Sequence, residues 1–370
     1  MNPAAGACHG AATVLFRADA SPEIGTGHAM RCLALAEAVI ETGGRCVFAM
    51  AQSSEALDRR IEAAGAGNRR VAAEPGSPED LRITLAIAVE EGCRAVALDG
   101  YRFGEVYRAG LRASGARILA FDDLGDLANL HADVVVNAAP TAAGLPYARI
   151  APDATHLLGA GYVALRREIR EAAKAERKPL AERRSILLTF GGSDPLGLTG
   201  LCIEVLAPSL PEGDRLTVAV GGANPRAGAI REAALRHGAR VELHVDSSRM
   251  GALMAGAGLA VSAAGTTVGE LAALAVPTIL VVAADNQAPA AGPVSEAGWC
   301  RVLDGRRPDA VSRLRDLALA LWHDPAERAR MAARAVGTVD GDGVRRILDA
   351  LLGTPPDPRL QPNPPCGTVP

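Results

Sequence analysis

TVLFRADASPEIGTGHAMR, residues 13–31, decides the fold. Thr13, Val14, Leu15 and Phe16 form a β-branched, apolar run, whereas the residues from His28 onward favour a helix, so a strand turns into a helix here. Gly25 and Gly27 let the main chain bend tightly and approach a ligand closely. A helix that begins near His28 aims unpaired amides and a partial positive charge at whatever lies in front of it, which suits a phosphate. The GxGxxG dinucleotide fingerprint is absent. His28 sharpens the reading, because it stands beside the expected anion.

Outward from this turn, short β-rich runs alternate with Ala/Leu/Arg/Glu stretches. The pattern predicts strands at 13–17, 45–49, 94–98, 116–121 and 133–136, with helices at 28–42, 53–64 and 78–91. Such alternation indicates a parallel sheet with helices on both faces, whose ligands bind beyond the C-terminal strand ends. The notable polar residues fall at those ends: Asp19 to His28, Asp99 to Tyr101, Asp122 with Asp123, and Asn137.

The second half repeats the scheme. Strands are expected at 185–190, 216–220, 240–244, 258–262 and 277–282, and helices at 198–207, 247–255 and 268–274. The loops GGSDP (191–195), GGANP (221–225) and AAGTT (263–267) punctuate it. The expected fold is therefore α/β, two Rossmann-like domains with a cleft between them. The boundaries are a leader at 1–12, a first domain at 13–164, a charged helix-prone connector at 165–184 and a second domain at 185–335. A closing helix follows at 336–352, able to pack on either domain, and then a proline-rich tail at 353–370 not expected to fold.

The 370 residues fit two domains of about 150 residues each. The net charge of -3 and the lack of basic runs interleaved with aromatics argue against a nucleic-acid partner. Seven scattered cysteines without a CxxC pair argue against a disulfide framework or a zinc site, and place the chain in a reducing cytoplasm. No apolar stretch approaches membrane-spanning length, so membrane insertion is not expected.

A second cluster looks built for a nucleotide. The amides of Gly265, Thr266 and Thr267 can hold a pyrophosphate, and Glu270, three residues into the helix, can accept both hydroxyls of a ribose. The loop Gly191, Gly192, Ser193 would line the same cleft, and Asn286 and Gln287 end a further strand. Duller alternatives stand beside each. Asp19 could cap a turn, Asp122 and Asp123 could be a solvated loop pair or a helix cap, and Glu270 could be an ordinary first-turn carboxylate. His131, His156, His237, His244 and His323 fall on no such turn.

Taken together, FRADASPEIGTGHAMRC, the LDGY and FDDL loops, LLTFGGSDP, VSAAGTTVGELAAL and ADNQ resemble the UDP-2,4-diacetamido-2,4,6-trideoxy-β-L-altropyranose hydrolases of pseudaminic acid biosynthesis, a pathway of flagellin glycosylation. The resemblance runs from about Thr13 to Leu352. It implies the GT-B architecture, with UDP in the second domain and the sugar facing the first. It also implies a cytoplasmic, metal-independent, cofactor-free hydrolase, expected as a monomer. By the same resemblance His28 activates the attacking water, and Tyr101 and Asn286 belong to the catalytic set. Gly25, Gly27, Arg31, Asp122, Asp123, Asn137 and Gln287 are expected around the sugar. Gly269 departs from the larger side chain that many relatives carry there.

Direct attack by water opposite UDP predicts inversion at the anomeric carbon; a retaining path needs a carboxylate nucleophile, for which Asp19 is the candidate. Two alternatives share the nucleotide half: a GT-B glycosyltransferase with a UDP-sugar donor, and a protein that binds the nucleotide sugar without turnover. A dehydrogenase is disfavoured, since Met50 and Ala51 occupy the end of the second strand where an acidic ribose ligand would stand.

Overall fold

A computed structural model describes residues 12–21, 24–222 and 224–353, with Asn286 described by its backbone alone. The expected leader and proline-rich tail lie almost wholly outside them. The first half builds β1 (Thr13–Ala18), α1 (Gly27–Glu41), β2 (Arg45–Met50), α2 (Glu55–Ala63), β3 (Gly67–Arg70), α3 (Pro78–Glu90), β4 (Ala95–Asp99) and α4 (Glu105–Ala113). It continues with β5 (Arg117–Phe121), β6 (Val134–Asn137), α5 (Tyr147–Ile150) and β7 (Thr155–Leu158). After α6 (Arg167–Lys174) the second half runs β8 (Ser185–Thr189), α7 (Leu198–Leu206), β9 (Arg215–Val220), α8 (Ala227–His237), β10 (Val241–Val245), α9 (Met250–Ala255), β11 (Leu259–Ala263) and α10 (Thr267–Ala273). It ends with β12 (Thr278–Val282), α11 (Ala288–Glu296), β13 (Cys300–Asp304), α12 (Ala310–His323), α13 (Pro325–Ala335) and α14 (Gly343–Leu352).

The strands form two sheets, in the orders β3-β2-β1-β4-β5-β6-β7 and β10-β9-β8-β11-β12-β13, and their registered pairs are parallel. Strand order reverses between β1 and β4 in the first sheet and between β8 and β11 in the second. At such a switch point the flanking connections leave to opposite faces and open a crevice, where ligands of doubly wound sheets bind. The loop after β1 leads into the first turn of α1, which carries His28, and the loop after β4 carries Tyr101; those after β8 and β11 carry Ser193 and Thr266. The two Rossmann-like domains expected from the alternation are the observed fold.

Fully buried strands account for the apolar runs: β1, β4 and β8 are buried along their whole length. Two polar edge strands, β3 (GNRR) and β7 (THLL), escaped the sequence pattern because each has only four residues and little apolar signal. The closing helix α14 docks on the first sheet, where Val344, Ile347, Leu348 and Leu351 join the core that holds Phe16, Phe48 and Leu33. Each such buried aliphatic side chain contributes roughly 1.5–3 kcal/mol.

The stretch expected to be a connector is only partly one. Leu165 and Ile169 are buried in the second domain's core with Met254 and Leu271. α6 lies so close to α9 that a β-carbon at Gly251 would sit 2.4 Å from the Glu168 carbonyl oxygen. An amphipathic sequence with charge on one face reads as a solvated link until its apolar face finds a partner. The chain crosses between the domains at Val163, pinched between Gly269 of α10 and Gly343 of α14.

Candidate functional site

Gly25 takes φ +75°, a left-handed conformation open to glycine at little cost, and so turns the chain from β1 into α1. Thr26 makes no side-chain capping bond to α1, and the first turn of this 15-residue helix holds no acidic residue. Its N-terminal dipole is therefore uncompensated by its own sequence. His28 stands on that first turn, outside the apolar core. Its ring meets Tyr101 edge to face, with centroids 4.8 Å apart, and its Nε2 lies 3.9 Å from Oδ1 of Asp99.

Arg31, one turn further along α1, forms fork contacts with two carboxylates. Nε and an Nη donate to Asp99 at 2.8 Å each, and both Nη atoms donate to Asp123 at 2.8 and 3.0 Å. Its guanidinium also lies over the Phe121 ring at 4.8 Å. Arg31, expected around the sugar, ties together the loops after β4 and β5 through these contacts. Burial works to raise the Asp123 carboxyl, but the charge and hydrogen bonds of Arg31 hold it below the ordinary carboxylate range. The Tyr101 hydroxyl donates to the same carboxylate at 3.3 Å.

The second domain presents its turns directly to this edge. A β-carbon at Gly27 would lie 3.4 Å from Cγ2 of Thr266, one at Gly25 3.8 Å from Oγ of Ser193, and one at Gly192 3.0 Å from Oγ1 of Thr26. Gly191, at φ +78°, makes the turn out of β8. Asp194 caps α7 by accepting from the amides of Leu198 and Thr199, 2.9 Å each, so the start of that helix is satisfied internally. The turn Gly265–Thr267 receives no such side-chain cap. Gln287 accepts from the Ala283 amide at 2.8 Å, and its Nε2 lies 4.0 Å from a β-carbon built on Gly265. Asn286 lies in the short helical turn Asp285–Gln287; its side chain is outside the described residues.

Three further candidates are buried. Asp19 is 5 % exposed, accepts from the amides of Ala51 and Gln52 at 2.7 and 2.9 Å, and pairs with buried Arg17 at 2.8 Å. A carboxylate so engaged braces the loop after β2. Asp122 accepts from the Gly125 amide and the Tyr147 hydroxyl, both at 2.8 Å, and buried Asn137 bonds Tyr147 and the Ala139 amide. Burial pushes the Asp122 carboxyl up. Both residues brace the loops after β5 and β6.

Glu270 carries a partner that the sequence did not suggest. Arg166 donates to both its oxygens, at 2.7 and 3.0 Å, and reaches Glu168 as well. Asp99 was likewise passed over as an individual side chain; its place at the end of a buried strand, two residues before Tyr101, is the signal that could have found it. Among the described residues no group of three His, Cys, Asp or Glu side chains has a metal-binding arrangement, and no helix is long and apolar enough to cross a membrane.

No protein-family model matches the chain. A UDP-2,4-diacetamido-2,4,6-trideoxy-beta-L-altropyranose hydrolase of Campylobacter jejuni is 23% identical over 243 residues, covering 65% of this chain and 81% of that protein. An uncharacterized protein of Methanocaldococcus jannaschii is 27% identical over 192 residues, 51% of this chain and 38% of that one. Among solved structures, Acinetobacter baumannii MurG superposes with a TM-score of 0.58 at 16% identity, covering 92% of this chain and 99% of that one. Anabaena HepE in complex with UDP gives 0.59 at 12%, over 93% and 100%. These likenesses, with the two sheets, identify the fold as GT-B.

Proposed function

We propose that this chain is an enzyme that hydrolyses a UDP-linked sugar at its anomeric carbon, releasing UDP and free sugar with inversion, and that it acts as a cytoplasmic monomer. One observation carries the proposal: the His28 turn of the first domain abuts the Ser193 and Thr266 turns of the second, so closely that a β-carbon built on Gly27 would lie 3.4 Å from Cγ2 of Thr266. The N-terminus of α1, with no acid in its first turn, meets the uncapped Gly265–Thr267 turn, whose first-turn acid Glu270 is engaged by Arg166, an arrangement that a pyrophosphate would neutralise. We assign UDP to the second domain, residues 185–335, and the sugar to the first, residues 13–164.

UDP is a good leaving group, so the work is to stabilise its charge and to aim a water. His28 takes the water's proton, a step that contributes roughly 100- to 10,000-fold. Tyr101 and Asp123 border the sugar. The hydrolase reading over transfer is supported by the Campylobacter relative, which shares 23% identity across most of its length. The preferred sugar class is the 2,4-diacetamido-2,4,6-trideoxy sugar named for that relative.

His28→Asn should abolish turnover and leave UDP binding in place; unchanged turnover would refute the role of His28. Incubation with a UDP-sugar and no acceptor separates the readings. Free sugar supports hydrolysis, turnover only on adding an acceptor supports the transferase alternative, and tight binding without product supports a sensor.

A further inference from the structure

We propose that Ile24 and Leu124, with Tyr101 between the domains' turns, form an apolar rim that selects a sugar bearing an exocyclic methyl group where common hexoses bear a hydroxyl. The proposal rests on the nucleotide-sugar reading above and concerns which sugar enters. Ile24, Tyr101 and Leu124 are 41, 48 and 38 % exposed, and Leu196 of the second domain is 36 % exposed. Single exposed hydrophobic residues are ordinary, but these gather on loops at one strand edge. Ile24 precedes Gly25, where a β-carbon would lie 3.8 Å from Oγ of Ser193. Tyr101 meets the His28 ring, and Leu124 follows Asp123, which accepts from the Tyr101 hydroxyl.

The polar side chains of the first domain's edge point to the same class of sugar. Asp19, Asp99, Asp122, Asp123 and Asn137 each make at least two hydrogen bonds within the protein. A sugar hydroxyl that leaves water needs a partner, and side chains already engaged by the fold offer few. A methyl group needs none and gains by covering apolar side chains. The first domain is thereby matched to a ring that carries alkyl groups in place of some hydroxyls. A hydroxyl at C6 brought against Ile24 and Leu124 would lose its water without replacement.

The test offers the full chain two competing substrates, UDP-2,4-diacetamido-2,4,6-trideoxy-β-L-altropyranose and its analogue with a hydroxyl restored at C6, and reads the ratio of kcat/KM for free-sugar release. Wild type should favour the methyl-bearing sugar by about tenfold or more, within the roughly 100-fold by which an apolar pocket rejects an added hydroxyl. Leu124→Ser and Ile24→Ser should each lower the ratio to about threefold or less. The ratio does not depend on how much of a variant is folded, so instability cannot mimic this result. A wild-type ratio near one or below overturns the proposal, and so does a ratio unchanged in either variant. If neither sugar is hydrolysed, the hydrolase reading fails, and the same ratio taken from dissociation constants by calorimetry decides the rim. Wild type that binds neither sugar nucleotide nor UDP removes the nucleotide-sugar reading, and the rim with it.

Discussion

The His28 and Tyr101 rings meet at 84° with centroids 4.8 Å apart, so the imidazole is steadied by a ring from the loop after β4. An edge-to-face pair of this kind contributes about 0.5–1.5 kcal/mol beyond its area. Tyr101→Phe preserves the ring contact and loses the hydroxyl on Asp123; Tyr101→Ala loses both. If His28 is the base, free-sugar release should fall several-fold in Tyr101→Phe and about 100-fold in Tyr101→Ala, mainly in kcat, the scale expected for a misplaced catalytic group. Equal rates in the two variants would separate His28 from its neighbour.

Arg31 leaves two carboxylates without a counter-charge when it is removed. Asp99 is buried, so Arg31→Met should destabilise the fold by about 3 kcal/mol, and Arg31→Lys by less, since one ammonium cannot span both acids. Urea unfolding of the two variants checks the order. A loss under about 0.5 kcal/mol in Arg31→Met would mean that the loops after β4 and β5 hold without the clamp.

Below the site, buried Arg17 donates to Asp80 at 3.0 and 2.6 Å, and the Tyr107 hydroxyl reaches the same carboxylate at 3.0 Å. Burial works to raise Asp80, yet the Arg17 bond and charge hold it below the ordinary carboxylate value. A carboxyl whose folded pKa lies below its unfolded value of about 3.9 contributes stability fully above that value, and loses it as pH falls through the folded pKa. Asp80→Asn should cost about 1–3 kcal/mol at pH 7, because the buried guanidinium loses its forked partner and keeps Asp19 as its remaining carboxylate. The gap between variant and wild type should narrow below about pH 4. A gap constant from pH 7 to pH 3 in denaturant melts would contradict this.

Which parts of the molecule were legible follows from what each signal depends on. The strand-to-helix turns were readable because buried parallel strands are continuous apolar runs ended by glycine, as at Phe16 to Gly25 and Thr189 to Gly191. The partners of the polar residues at those ends were not readable. Arg31 and Asp123 are 92 residues apart and Arg166 and Glu270 are 104 apart, so nothing local links them. Asp19, Asp122 and Asn137 share the strand-end position of Asp99, and only the packing of Arg17, Gly125 and Tyr147 around them reveals that they hold loops together. Arg17 was hidden in the same way, a charge inside a buried strand whose partner lies 63 residues on.

Gly269 offers a test of the crossover that is independent of any ligand. A β-carbon there would lie 2.5 Å from Cγ1, 3.3 Å from Cγ2 and 3.5 Å from Cβ of Val163. Gly269→Ala should therefore cost about 1–3 kcal/mol, the range for overpacking a fitted contact. Val163→Ala removes both offending methyl groups and leaves only the 3.5 Å neighbour, which is ordinary van der Waals contact. The single Val163→Ala change should cost about 1–2 kcal/mol for the lost contacts. The double variant should be more stable than the sum of the two losses by about 1 kcal/mol or more, a favourable coupling measurable in a denaturant double-mutant cycle. Strict additivity would show that α10 and the crossover do not press on one another, and would also remove the steric reason for glycine at this position.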